Sequence, residues 1–511
     1  MTTQREFEDA PMRRLLLATA CTLLLAGAAS AQTLRVALRE DADILDPTLA
    51  RTYVGRIVFA GLCDKLFDIN DKLEIVPQLA LSHELTDPTT LVLKLRPGVT
   101  FHDGTPLDAA AVKYSLERHV SMQGSFRRSE IAAIDRIEVV DPLTVRVLLK
   151  APSSPFVAQL ADRSGMIVSP KAAEAAGKDF GLRPVCAGPF AFKERVPQDR
   201  IVLERYPGYW NKDAIKLERV IYQPIPDSSI RLANLQAGSV DLVEYILPTD
   251  VDAVRKNARL RIAITDYLGY QGITFNVANG PRSKAPITSD ARLRRAFELS
   301  LDRDALVQVV YAGLYTPTVQ GLSPSSPYYD AALKPPARDV AKAKALLKEA
   351  GVALPVPVSL MVPNNPDLRQ AAEVIQSMAG EAGFSVQINA TEFASALQAE
   401  SRGDYEAFIL AWSGRVDPDG NLYSFLHSTG ALNTAKYSNP AVDKALDDAR
   451  LTDDPARRRQ LYAGMWPAER QDLPIIYLWT QRNIAGLSSK VEGFKPMPDG
   501  MIRLQGVSLA K

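Results

Sequence analysis

Four histidines stand in the 511 residues: His83, His102, His119 and His427. None is paired with another ligand type in a metal-binding pattern. The chain contains no GxSxG, GxxxxGKS/T, GxGxxG or HExxH segment, so neither an activated serine nor a phosphate-cradling loop is written into it. Asp417 and Asp419 flank Pro418 and could pose as paired carboxylates, but alternate spacing beside a proline more often marks a turn. The cysteines are Cys21, Cys63 and Cys186, with no CxxC pair to run thiol redox chemistry. No catalytic constellation can be assembled from these residues. The expectation is therefore a binding protein and no enzyme, with no metal site and no cofactor.

Bulk charge removes another class. Lys and Arg together number 60 against 59 for Asp and Glu, so no net field exists to hold a polyanion, and nucleic acid is excluded as a partner. The length exceeds what one compact core supports, so two or three domains are expected.

Residues 1–31 follow a different grammar. Arg13 and Arg14 precede the apolar run from Leu15 to Ala26, and Ala29-Ser30-Ala31 places small residues before Gln32. This is the layout of a cleaved secretory signal peptide, too short for a membrane span. Met12 is a second candidate start. The residues before Cys21 lack the leucine of a lipoprotein site, so lipidation is not expected. Export would leave Cys63 and Cys186 in an oxidising compartment, where one disulfide and two buried thiols are equally open readings.

The elements that must position any binding residues are legible from periodicity. Leu34–Leu38, Leu91–Leu95, two runs within Ile137–Leu149, Ile201–Arg205 and Arg219–Gln223 read as strands. A helix is expected around Arg56–Leu66, and another over Asp108–Arg118 with Asp108 as its cap. From about residue 270 the texture changes. Strands at 273–276, 356–362 and 385–390 alternate with helices at 290–300, 303–311 and 365–383, which points to an α/β lobe with a largely parallel sheet. A last apolar strand, Leu473–Trp479, precedes a polar tail.

Several segments taken together resemble one family, the extracellular solute-binding proteins of family 5, which serve peptide, nickel and related ABC importers. They are Leu34-Arg35-Val36-Ala37 with Leu45-Asp46-Pro47, Pro77-Gln78-Leu79-Ala80, and LKLRPGVTFHDGTPLDAAAVKYSLER from Leu93 to Arg118. Pro184-Val185-Cys186-Ala187-Gly188-Pro189-Phe190, Tyr209-Trp210, Leu235 to Asp241, Phe275-Asn276 with Ala291 to Ala296, and Trp412-Ser413-Gly414 with Asp417-Pro418-Asp419 continue in family order. The resemblance implies an α/β, two-lobed periplasmic binding protein fold of type II, in the peptide-binding cluster with an extra subdomain in the first lobe. Its implied boundaries are a signal peptide 1–31, a first lobe 32–268 with the subdomain about 86–183, a second lobe 269–482, and a return to the first lobe over 483–511. Hinges fall near 268–272 and 480.

The implied function is that of a monomeric periplasmic receptor. It binds a peptide or a small peptide-like or anionic solute between the lobes, closes, and is recognised by inner-membrane permease subunits. An exported peptide-binding chaperone or a chemosensory receptor on the same scaffold is the alternative. Scarcity of histidine disfavours nickel or haem. The resemblance also implies that Cys63 and Cys186 lie near each other, which makes them disulfide candidates.

Two positions depart from the dipeptide-binding pattern. An Asp that pairs with the peptide ammonium follows the Trp-x-Gly turn in such proteins, and Arg415 stands here instead. Where an Arg reads the ligand carboxylate, this chain has Asn364 and Asn365. A guanidinium repels an ammonium and can hold a carboxylate bidentately. Two readings of Arg415 follow: it meets a carboxylate of the ligand, or it pairs internally with Asp417 or Asp419. Trp412 is either a platform for the ligand's apolar part or core at a strand end. Tyr53, Tyr270, Gln271 and Asn433 fall where family residues face or flank the cleft. With Arg415, Trp412, Asp417 and Asn364 they are the candidate ligand-binding residues.

Overall fold

The computed structural model describes residues 32–510, so the expectations placed on 1–31 lie outside the described residues. Alternation in Thr33–Leu38 puts Leu34 and Val36 on a fully buried face and leaves Arg35 partly exposed on the other. This strand is the middle of a seven-stranded sheet. The spatial order is Leu260–Asp266, Arg482–Ser488, Leu242–Val243, Thr33–Leu38, Arg219–Pro224, Arg200–Arg205 and Phe190–Val196. Thr33–Leu38 is parallel to both of its neighbours, and the remaining pairs are antiparallel.

The helix Tyr53–Leu62 packs on this sheet, with Val54, Ile57, Val58 and Leu62 in the same core as Leu34 and Val36. Thr52 caps it, its Oγ1 accepting from the Gly55 amide at 3.2 Å. The helix thus starts three residues before the expected Arg56 and stops at Leu62, where Cys63 is bonded to Cys186 with 4.9 Å between their Cα atoms.

A separate four-stranded antiparallel sheet follows in the first half of the chain, in the order Ala80–Asp87, Thr90–Leu95, Thr144–Leu149, Ile134–Asp141. The helix Ala109–Ser121 covers its inner face with Ala111, Val112 and Leu116. Asp108 caps that helix, accepting from the Ala111 amide at 3.0 Å.

The second half builds a six-stranded mixed sheet, in the order Thr316–Pro317, Ile475–Thr480, Tyr270–Phe275, Ala407–Trp412, Val356–Pro363, Phe384–Thr391. Val356–Pro363 and Phe384–Thr391 run parallel, joined by the helix Pro366–Ala382. That helix buries Ala371, Ala372, Ile375 and Ala379 at helical spacing, begins with Asn365 capping the Leu368 amide, and ends at Gly383 with φ of 107°. Two further helices, Pro440–Arg450 and Pro455–Asp472, cover an aromatic core formed with Trp412, Tyr423 and Tyr477.

The chain crosses between the two large sheets twice. Leu260–Asp266 of the first leads through 267–269 into Tyr270–Phe275 of the second, and Ile475–Thr480 returns through Gln481 into Arg482–Ser488. The crossing partners are adjacent in both sheets. Gly269 is required by close approach: a Cβ there would lie 2.0 Å from the Trp412 carbonyl oxygen. Gly414, at φ of 75°, would place one 2.3 Å from the Leu268 carbonyl carbon. The Trp412–Gly414 turn therefore rests directly on the first crossing. Among the described residues, no helix is long and apolar enough to cross a membrane.

Candidate functional site

A cavity of about 120 Å³ lies between the two halves. Its walls come from the carboxyl ends of strands in both sheets, where open α/β sheets place their ligands. Arg39 and Glu40 follow the strand Thr33–Leu38, Asn365 and Asp367 follow Val356–Pro363, and Trp412 ends Ala407–Trp412. Tyr53 enters from the first turn of its helix, Gln271 from its strand, and Gln481 from the second crossing.

Arginines dominate the charge. Arg39, Arg51, Arg127, Arg163 and Arg231 all line the cavity. Arg39 is held by Glu244 through Nε at 2.8 Å and Nη2 at 2.9 Å, and its guanidinium lies 4.0 Å over the Tyr245 ring. Arg51 bridges to Glu400 of the facing helix Phe393–Arg402 at 3.0 Å. Arg127 pairs with Glu130 at 2.5 Å. Arg163 is different. Its Nη1 donates to the Ala50 carbonyl at 2.7 Å, its nearest carboxylate is Asp162 at 3.9 Å, and its Nε has no hydrogen-bond partner. Burial, then the neighbouring Arg127 and Arg415 charges, push the Arg163 guanidinium well below its usual pKa.

Four buried guanidiniums, those of Arg56, Arg127, Arg163 and Arg415, thus share two carboxylates as ion-pair partners, Asp162 and Glu130, while Asp499, paired with Arg503, acts on Arg56 as well. A surplus of buried positive charge is costly unless something answers it.

The structure separates the sequence candidates. Tyr53, Gln271 and Trp412 line the cavity. Tyr53 donates from Oη to the Gly500 carbonyl at 2.9 Å and meets the Tyr267 ring edge-on. Gln271 is 1 % exposed and its Nε2 has no partner. Trp412 lines the cavity at the end of its strand and is also packed into the core, its Nε1 donating to Asn421 at 2.9 Å and Phe425 lying at 4.8 Å.

The others stand elsewhere. Arg415 does not line this cavity, and it pairs with neither Asp417 nor Asp419. Its Nε meets Asp162 Oδ2 at 2.6 Å, its Nη1 reaches Ser413 and the Gly414 carbonyl, and its guanidinium lies 4.3 Å over Trp412. Burial and the Arg56 charge lower it to about 10. Asp162 is buried too, yet the guanidiniums of Arg415, Arg56 and Arg163 hold it well below the usual carboxylate range. Asp417 is bound by Arg458 at 2.7 Å and lines a small adjoining pocket with Arg415. Asp419 takes Arg450 and accepts from Gln159 at 3.0 Å.

Tyr270 is buried edge-on against Tyr477 at 4.9 Å, and Asn433 is satisfied by the His427 and Tyr437 backbone. Asn364 is exposed and borders a different surface pocket, while its neighbour Asn365 reaches the cavity as a helix cap. These positions lie near the cleft in sequence order, but the cleft wall at each is supplied by an adjacent residue.

Reasoning from sequence missed Arg39, Arg127, Arg163, Arg231 and Asp367. Arg127 and Arg163 converge on Ala50 from separate loops, a meeting no local pattern announces.

Comparison with known proteins agrees with this architecture. Residues 74–433 match the family of bacterial extracellular solute-binding proteins, family 5, middle region. The glutathione-binding protein GsiB of Pectobacterium atrosepticum is 31 % identical over 480 residues, 91 % of this chain and 92 % of that protein. GsiB of Escherichia coli K12 is 30 % identical over 496 residues, 94 % and 96 % of the two chains. Among solved structures, the periplasmic protein DppA of Helicobacter pylori in complex with the peptide STSA superposes with a TM-score of 0.86 at 25 % identity, covering 94 % of this chain and 98 % of that one. AgaA of A. tumefaciens R10 in complex with agropinic acid gives 0.85 at 26 %, covering 94 % and 99 %. The chain has the two-lobed fold of type II periplasmic binding proteins, and it belongs to the bacterial extracellular solute-binding proteins of family 5.

Proposed function

We propose that the chain is the exported, monomeric receptor of an ABC importer, that it binds a small peptide-like anion between its lobes, and that Arg127 and Arg163 receive a carboxylate of that solute. The observation that carries this reading is Arg163, a buried guanidinium on the cavity wall with an unpartnered Nε and no carboxylate nearer than 3.9 Å. An anion placed there gains a charge-assisted bond in a low-dielectric site and offsets the surplus of positive charge. The glutathione-binding protein GsiB, and AgaA in its complex with agropinic acid, support a solute of this class. Closed lobes around the solute would present the surface that the permease subunits recognise, and residues 1–31 would direct export. The receptor acts by capture and release, without turnover.

Isothermal titration calorimetry tests the reading. Glutathione, Ala-Glu and Glu-Glu are titrated beside the uncharged-side-chain peptides Ala-Ala and Met-Leu, and beside a carboxyl-amidated form of the tightest binder. Selective binding of the anions is expected, with loss of about tenfold to a hundredfold on amidation or in Arg163→Gln, the range for a hydrogen bond to a charged group. Equal binding of neutral and anionic peptides, or an unaffected Arg163→Gln protein, refutes it.

A further inference from the structure

The cavity is not cationic throughout. Glu40 lines it, directly after the strand Thr33–Leu38, and among the described residues nothing donates a hydrogen bond to its carboxylate. The charged groups that bear on it most are already committed. Arg39, the cation that acts on it most strongly, is tied to Glu244 by two side-chain bonds. Asp43 accepts from the Arg51 amide at 2.7 Å and from Thr52 Oγ1 at 2.8 Å. Glu392 caps the helix Phe393–Arg402 through the Ala394 and Ser395 amides. Burial, with Glu244, Asp43 and Glu392 adding to it against the single Arg39 charge, pushes the Glu40 carboxyl up to about 8. The same cavity holds Gln271, 1 % exposed, whose Nε2 is likewise unspent. One wall therefore offers an unanswered acceptor in an acidic neighbourhood, while Arg127 and Arg163, whose electrostatic neighbours are a different set, offer unanswered donors.

We infer that Glu40 is the specificity-determining counter-ion for a primary ammonium group of the solute, so that the cavity selects a net anion that carries a free ammonium, held at Glu40, beside a carboxylate held at Arg127 and Arg163. This rests on the reading of a peptide-like anion given above and narrows it to solutes with a free amine. An ammonium beside Glu40 supplies the cation that the surrounding acids lack, and its N–H groups match the empty acceptor positions of the carboxylate.

The test uses glutathione, Ala-Glu and Glu-Glu, each free and N-acetylated, titrated into the wild type and Glu40→Gln. For the tightest free peptide, Glu40→Gln is expected to lose about tenfold to a hundredfold. The N-acetylated form is expected to bind the wild type correspondingly weakly, and Glu40→Gln no worse than the wild type. A second measurement needs no variant. At pH 7, titrations in buffers of different ionisation enthalpy should show protons released on binding of the free peptide and none for the acetylated form, because the ammonium takes the proton's place as the partner of Glu40. Binding of free and acetylated peptides with equal affinity, or an unaffected Glu40→Gln protein, overturns the inference while leaving the anion reading in place. A wild type that binds none of these peptides removes both.

Discussion

Exchanging Asp162 for Asn and Arg415 for Met separates two roles for the charges beside the cavity. Asp162 belongs to the first lobe and Arg415 to the second, and their 2.6 Å contact, with both side chains under a tenth exposed, closes one side of the cleft. Asp162 also takes Arg56 at 2.7 Å, and Arg56 in turn donates to Ser413 of the second lobe at 3.0 Å. Removing the carboxylate leaves Arg56, Arg163 and Arg415 facing one another without their shared anion. Breaking a buried pair from one side costs about 3–5 kcal/mol. Removing Arg415 instead leaves Asp162 answered by Arg56 and by the Arg163 amide, and it reduces the local surplus of positive charge, so the loss should be about 1–2 kcal/mol. Where the lost energy is specific to the closed form, Asp162→Asn should shift the closed-to-open ratio by about a hundredfold or more, against about tenfold for Arg415→Met. Small-angle scattering of the unliganded protein reads the shape change, and calorimetry with glutathione or Ala-Glu reads the affinity change. Arg415→Met weakening the anion more than Asp162→Asn would refute this reasoning, since that order is expected only of an arginine touching the solute.

Reduction of the Cys63–Cys186 bond releases a separation of 123 residues. The chain-entropy account gives a loss on the order of 5 kcal/mol, so denaturant unfolding with and without dithiothreitol should show a clearly lower midpoint after reduction, and equal midpoints would contradict it. Glu469 is fully buried, neither carboxylate oxygen has a partner, and burial, opposed by Arg470 and reinforced by Glu298, raises it to about 8 from an ordinary 4.5. Between those values the folded chain keeps a proton that the unfolded chain gives up, so stability falls as pH rises, by up to about 1.4 kcal/mol per pH unit from this group. Glu469→Gln should flatten the dependence of Tm on pH between roughly 5 and 8 and gain most at the alkaline end; an unchanged slope would count against it.

What could be read from sequence was what local pattern encodes. Thr33–Leu38 alternates, Pro366–Ala382 carries its cap, its proline and its terminal glycine, and both announce themselves. Ala80–Asp87 does not: as an edge strand it exposes nearly every residue after Ala80, so no alternation marks it. Pro455–Asp472 was hidden by three consecutive arginines and by Pro467 within the helix. At the site, Tyr53, Gln271 and Trp412 were found because each lies at the end or start of an element with a recognisable segment around it. Neither reading of Arg415, a ligand carboxylate or a pair with Asp417 or Asp419, names Asp162, because that partner is distant in sequence and close only once the lobes meet. Long-range pairing of this kind leaves no trace in periodicity, which is also why Glu40 and Arg163 went unnoticed.

The paired crossings have a consequence for how quickly binding can change in evolution. Opening needs backbone rotation only at 267–269 and at Gln481, and no ladder hydrogen bond of either large sheet spans the gap between them. Release must break the contacts between the halves, among them Arg51 with Glu400, Gln159 with Asp419 and the bond from the Ser154 amide to the Arg450 carbonyl. The side-chain members of this set lie outside both ladders, so exchanging one changes dwell time without removing a sheet hydrogen bond.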